Sequence, residues 1–258
     1  MSAFRVGARR PAAFRPSPVF VGVVALWLTG GAMAWLEYGS PVVNVLLFVL
    51  AGWVVSLSLH EYAHALTAYR SGDHSVAARG YLTLNPLKYT HPFLSIVLPL
   101  VFLLIGGIGL PGGAVWVNRG AVRTRGRASL ISLVGPGANV VFFLVLAAPF
   151  LIGVDTRAHP TFWAAVAFLA FLQLTAAALN LLPVPGLDGG NALRPWLRGD
   201  TAKVYDYLAP FGFLLLVLII FTPVVSDSFW RIVLGISDLI GVPRGLIVSG
   251  LDLVQFWR

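Results

Sequence analysis

Residues 43–59 carry no charge, one asparagine and three glycine or serine positions, and the chain then delivers His60-Glu61-Tyr62-Ala63-His64 without a break. A stretch this apolar is what a bilayer crossing of ~20 residues demands. Similar stretches recur near 19–36, 128–152, 160–182 and 207–225. A further one, 229–250, holds Arg231, Asp238 and Arg244 and reads as a sixth span or an interfacial helix. The chain is 58% hydrophobic and 11% charged, against roughly 25% charged residues in a soluble domain. The expected class is therefore an all-α polytopic membrane protein with about five to six transmembrane helices. The loops are too short for a separate soluble domain, so 1–258 reads as one membrane-embedded domain. It divides into a basic cytoplasmic tail at 1–18, a core at 43–195 and a C-terminal span or interfacial helix at 229–258. Residues 19–36 are long for the apolar part of a secretory signal, and they read as an uncleaved first span.

Residues i and i+4 of a helix point the same way, so His60 and His64 can hold one Zn²⁺, and Glu61 lies near enough to act on a water at that metal. Ionisable groups at membrane depth are expensive and mark function. Glu61 is one of only two glutamates in the chain. There is no cysteine, so any metal site must use histidine and carboxylate. A catalytic zinc commonly has three protein ligands and an open position. Asp188, alone among carboxylates in the Pro/Gly-rich turn Asn180-Leu-Leu-Pro-Val-Pro-Gly-Leu-Asp188-Gly-Gly190, completes the number with His60 and His64. Asn139 and Asn180 are amides near apolar helices, candidates to hold a substrate backbone or an oxyanion. Gly135 and Gly137 read as close-packing positions. His74, His91 and His159 sit in loops or at segment ends and read as solvated or interfacial. Trp35, Trp163 and Trp230 fit interface anchors.

The segment 93–117 is apolar, yet Gly106, Gly107, Gly109, Pro111, Gly112 and Gly113 break it. Non-helical backbone at membrane depth is tolerated where protein or a water cavity surrounds it. A Gly-rich re-entrant segment, with room for a short β-hairpin, is the expected form. Entry and exit on one side puts 14 Lys and Arg inside and one outside across the N-terminal tail and the loops between spans, whereas a full crossing splits them 8 against 7. The positive-inside rule favours re-entry, with the N-terminus cytoplasmic. The formal charge of +8 thus belongs to loops facing lipid headgroups rather than to a nucleic-acid surface.

The chain resembles the site-2 protease family of intramembrane zinc metalloproteases over roughly 50–195. The resemblance rests on the His60-Glu61-x-x-His64 helix, Asn85-Pro86-Leu87-Lys88, the Gly-rich segment ending at 115–118, Gly135-Pro136-Gly137-Ala138-Asn139, and Leu187-Asp188-Gly189-Gly190. It implies ligation of Zn²⁺ by His60, His64 and Asp188, Glu61 as the catalytic acid/base, and a site facing the cytoplasm from below the surface of a plasma (inner) membrane. It implies hydrolysis of peptide bonds in or near transmembrane segments of membrane protein substrates. No PDZ-like insertion is present, so the resemblance is to the compact form. Two alternatives stand beside it. A non-catalytic helix-binding module of the same fold has no need of Glu61. A metal transporter needs ligands along a path, whereas 19–36 and 128–152 carry no charge beyond the junctions.

Overall fold

The computed structural model describes residues 14–89, 101, 115–220 and 222–257. Among them every regular element is helical and no strand forms. The expected re-entrant segment and its β-hairpin lie outside the described residues, as does His91.

Among the described residues, apart from the single turn Ser75–Ala78, nine α-helices carry the architecture: α1 (Pro18–Trp35), α2 (Pro41–Arg70), α3 (Arg125–Leu151), α4 (Pro160–Leu181), α5 (Asp188–Leu193), α6 (Gly199–Leu208), α7 (Gly212–Ile220), α8 (Pro223–Leu239) and α9 (Arg244–Val254). Local chemistry sets their ends. Proline occupies the first turn of α1, α2, α4 and α8, where its missing N–H costs nothing and its fixed φ suits the helix. Ser17 caps α1 by accepting from Phe20 N–H at 3.1 Å, and Thr124 caps α3 by accepting from Arg127 N–H at 3.3 Å. The α4 helix stops where Pro183 and Pro185 follow it, because proline disfavours helical backbone in the residue before it.

Among the described residues five helical stretches are long and apolar enough to cross a bilayer, counting Gly199–Ile220 (α6 and α7) as one. The 30-residue α2 measures about 45 Å at 1.5 Å per residue. That exceeds a hydrocarbon core of ~30 Å, so α2 is longer than a crossing needs. The last apolar stretch is not one straight span. The α8 and α9 helices meet at 117°. Gly241 ends α8 with φ +85, a left-handed turn that glycine adopts without a Cβ clash, and Pro243 caps the start of α9. Arg244 Nε donates to Asp238 Oδ1 at 2.8 Å across the bend.

The core forms where α2, α3 and α4 pack together, with α9 laid on α4 and α1 on α2. The α4 helix is central. Its partners come close because Ala164, Ala165, Ala167, Ala170, Ala176 and Ala177 are all buried, and small side chains let membrane helices approach. At the opposite end from Arg70, Trp35 stacks on His159 with ring centroids 3.7 Å apart. Trp163 meets Phe150 and Phe162 there and is buried, at 6% exposure. Trp163 is thus a core residue rather than an interface anchor, because α1 and α3 close over that face of α4.

Candidate metal centre

The His60 and His64 side chains leave the same face of α2, as their spacing requires, and their Nε2 atoms lie 3.0 Å apart. Asp188 opens α5, and its Oδ2 is 3.1 Å from His60 Nε2 and 3.4 Å from His64 Nε2. These three form the one such group of histidine and carboxylate donors found among the described residues. A tetrahedral ion with bonds of ~2.0–2.2 Å holds its ligand atoms ~3.3–3.6 Å apart, so the spacing suits one small cation.

The hydrogen bonds behind the ring atoms strengthen the fit. His64 Nδ1 is 2.5 Å from the Ile131 carbonyl, which can only accept, so Nδ1 carries the proton. His60 Nδ1 is 2.6 Å from Asn139 Oδ1. With both protons on Nδ1, two bare Nε2 lone pairs and a carboxylate oxygen converge in a buried space. A cation resolves that repulsion, and the outward Nδ1–H donors are the usual orienting partners of metal-ligating histidines.

Each element has a local reason for its place. The α3 helix approaches α2 at Gly135, where an added Cβ would lie 2.1 Å from His64 Nε2 and 2.7 Å from His60 Nε2. Only a residue without a side chain leaves the donors free. Pro136, one residue on, withholds its N–H from the helix and loosens α3 there. Asp188 is steadied from α3 as well: Ser129 Oγ donates to Ala192 O at 2.7 Å, and Trp196 Nε1 donates to Ser129 Oγ at 2.9 Å. Arg194 forms a two-point pair with Asp206 of α6.

Glu61 is 2% exposed. Its carboxylate takes a hydrogen bond from the Val115 backbone N–H, while Oε2 is buried with no hydrogen-bond partner among the described residues. A buried carboxylate oxygen left uncommitted is costly unless something else comes to it. His60, Glu61, His64 and Asp188 line a cavity of about 880 Å³, whose wall also carries Asn180, Arg123 and Arg125.

The sequence-derived set is therefore brought together with one change of neighbourhood. Asn180 is buried and lines the cavity. Asn139 does not: its amide is spent on His60, Ser56 and Gln173. Gly137 has nothing within 4 Å of an added Cβ, unlike Gly135. Sequence reasoning did not single out Ser56, Gln173 or Tyr89. Gln173 could have been found, as an amide inside an apolar span. Tyr89 could not, because its role depends on a loop fold that returns it to α2. There its hydroxyl donates to Ser58 O at 3.1 Å. Burial, and then the nearby Glu61 charge, push the phenol above its ordinary range and keep it a donor.

Comparison with known proteins agrees with this geometry. Residues 146–219, which include Asp188, match the family described as "Peptidase family M50". The chain is 46% identical over 251 residues to "Putative zinc metalloprotease Rip2" of Mycolicibacterium smegmatis, covering 94% of this chain and 95% of that protein. It is 47% identical over 247 residues to the protein of the same name from Mycobacterium tuberculosis, with 94% and 95% covered. It is 28% identical over 197 residues to "Putative zinc metalloprotease YwhC" of Bacillus subtilis, covering 72% and 86%. No solved structure matches the chain.

Proposed function

The chain belongs to peptidase family M50, the site-2 protease family of zinc metalloproteases, and from that membership we propose that it cuts peptide bonds in or beside transmembrane segments with His60, His64 and Asp188 as zinc ligands and Glu61 as acid/base. The single observation that carries the reading is the convergence of three donor atoms 3.0–3.4 Å apart next to a buried Glu61 oxygen that has no hydrogen-bond partner among the described residues. His60, His64 and Asp188 would hold the zinc, which when bound would supply Lewis acidity to the scissile carbonyl and lower the pKa of a nearby water toward ~7.

The protein groups do the rest. Glu61 takes the proton from the attacking water at Oε2 and returns it to the leaving amine, a role general acid–base groups fill with rate effects of ~10²–10⁴. The Val115 N–H holds the other part of the carboxylate and aims it. Asn180 is the amide left to hold the substrate backbone or the oxyanion, because it lines the cavity and Asn139 is engaged behind His60. The residues around the site lower its polarity by burial. The cavity supplies room for an unwound stretch of substrate, which a membrane helix must become before its carbonyls are free. Residues 43–195 form the catalytic core of a single domain in this reading. The N-terminus and the open side of the site face the cytoplasm, supported by the 14-to-1 distribution of Lys and Arg among the N-terminal tail and the loops between spans.

The test compares the detergent-purified native chain with Glu61→Gln, measuring zinc content and cleavage of a model transmembrane peptide. Zinc in both and cleavage in the native chain alone is the expected result. Equal turnover in metal-replete Glu61→Gln removes Glu61 from the chemistry. Unchanged zinc affinity in Asp188→Ala removes Asp188 from the ligand set.

A further inference from the structure

Behind His60 lies a closed set of three polar side chains from three helices: Ser56 of α2, Asn139 of α3 and Gln173 of α4. They are 3%, 4% and 0% exposed. Uncommitted amides and hydroxyls are costly in such surroundings, so their hydrogen-bond directions can be worked out as a chain of necessities.

The chain starts at the metal side. For His60 to offer its Nε2 lone pair, its proton must sit on Nδ1, and that N–H needs an acceptor. Asn139 Oδ1 is there at 2.6 Å. With its oxygen turned to His60, Asn139 points its NH₂ the other way, at Ser56 Oγ and Gln173 Oε1, both at 2.9 Å. Both of those atoms must accept. Ser56 then has its own proton to place and gives it to Gln173 Oε1. Every proton in the set points the same way, and Gln173 Oε1 is the terminal acceptor.

Reversing Gln173 breaks the two links that end on its oxygen. Its NH₂ would confront the Asn139 NH₂. Turning Asn139 to relieve that clash would present a donor to His60 Nδ1. The imidazole proton would then move to Nε2, the atom aimed at His64 and Asp188. Gln173 Nε2 itself has no partner among the described residues, so the present orientation is kept although the amide's donor end gains nothing from it.

We propose that Gln173 is a positioning residue which, through Asn139 and with Ser56, sets the tautomer of His60 and so tunes the affinity of the centre for its metal. The proposal rests on the reading of His60, His64 and Asp188 as ligands. The assignment gives Asn139 a role in holding the metal ligand and leaves substrate contact to other groups.

The experiment uses the full chain in detergent and reads zinc affinity by chelator competition, zinc stoichiometry, melting temperature of the zinc-free forms, and the ¹⁵N shifts of His60 without metal. Gln173→Met keeps length and removes the amide acceptor. We expect its zinc affinity to fall ~10- to 100-fold, the usual range for a lost orienting partner, with His60 shifting toward the Nε2–H tautomer. Gln173→Glu restores acceptor oxygens and is expected to recover to within about threefold of native. Asn139→Ala is expected to match Gln173→Met, and the double variant to be no weaker than Asn139→Ala alone, because both act on one path. A native chain that binds no zinc overturns the ligand reading beneath the proposal. A native chain that binds zinc, with Gln173→Met equal to it or Gln173→Glu as weak as Gln173→Met, overturns the proposal itself. Should Gln173→Met not fold, Ser56→Ala takes its place. There a roughly three- to tenfold loss of zinc affinity is expected, and native affinity overturns the relay.

Discussion

The α4 helix and the stretch Gly199–Ile220 are of one length, yet the most apolar 18 residues of the first are 89% buried inside the protein against 11% for the second. The difference lies in side-chain size and in polar content. The α4 helix is lined with alanines and carries Gln173, Thr175 and Asn180, all buried. The α7 helix reads Gly-Phe-Leu-Leu-Leu-Val-Leu-Ile-Ile, and Phe213, Leu214 and Leu218 are exposed. Lipid tails are as apolar as leucine, so bulk alone gives a helix no reason to seek protein. Small residues and buried amides do. Total hydropathy identifies a span, and the kind of residue in it tells whether the span belongs to the centre or to the lipid boundary.

The sharpest way to press this contrast is at the centre itself. Glu61→Gln is expected to cut turnover by ~10²–10⁴ with zinc retained, checked by peptide cleavage alongside metal analysis. Gly135→Ala comes next. Its Cβ has no room beside His64 and His60, so zinc affinity is expected to fall ~10- to 100-fold, read by chelator competition. Ala170→Leu overfills the packed face of α4, where Ala170 is fully buried, and is expected to cost ~1–3 kcal/mol, measured by unfolding in detergent. The smallest effect belongs to the periphery. Leu214→Ala on exposed α7 is expected to stay within ~0.5 kcal/mol by the same measurement. A Leu214→Ala loss as large as that of Ala170→Leu would break the distinction between centre and boundary.

Much of the candidate site could be read before any fold was known. The i, i+4 histidines, Glu61 and the carboxylate of the Pro/Gly turn name themselves by chemistry, because charge inside an apolar run has few uses. Asn139 was visible as a polar residue, but its neighbours were not. Ser56 and Gln173 are 117 positions apart in the chain and share a hydrogen bond, a relation no local pattern carries. The final apolar stretch, 229–250, suggested one element, and Gly241 and Pro243 divide it into two. The bend angle depended on how α9 packs on α4, which periodicity does not record.

Composition and spacing alone told that this chain is built for a membrane, that about five to six helices can cross it, and which residue types can hold a metal there. Those follow from solvent transfer and donor chemistry, which are properties of residues and short spacings. The folded arrangement was needed to show which spans are central, that Gly135 clears the space at His60 and His64, and that Asn139 faces a histidine rather than the cavity. Those depend on the packing of α2, α3 and α4 against one another, and packing is a relation between distant parts of the chain.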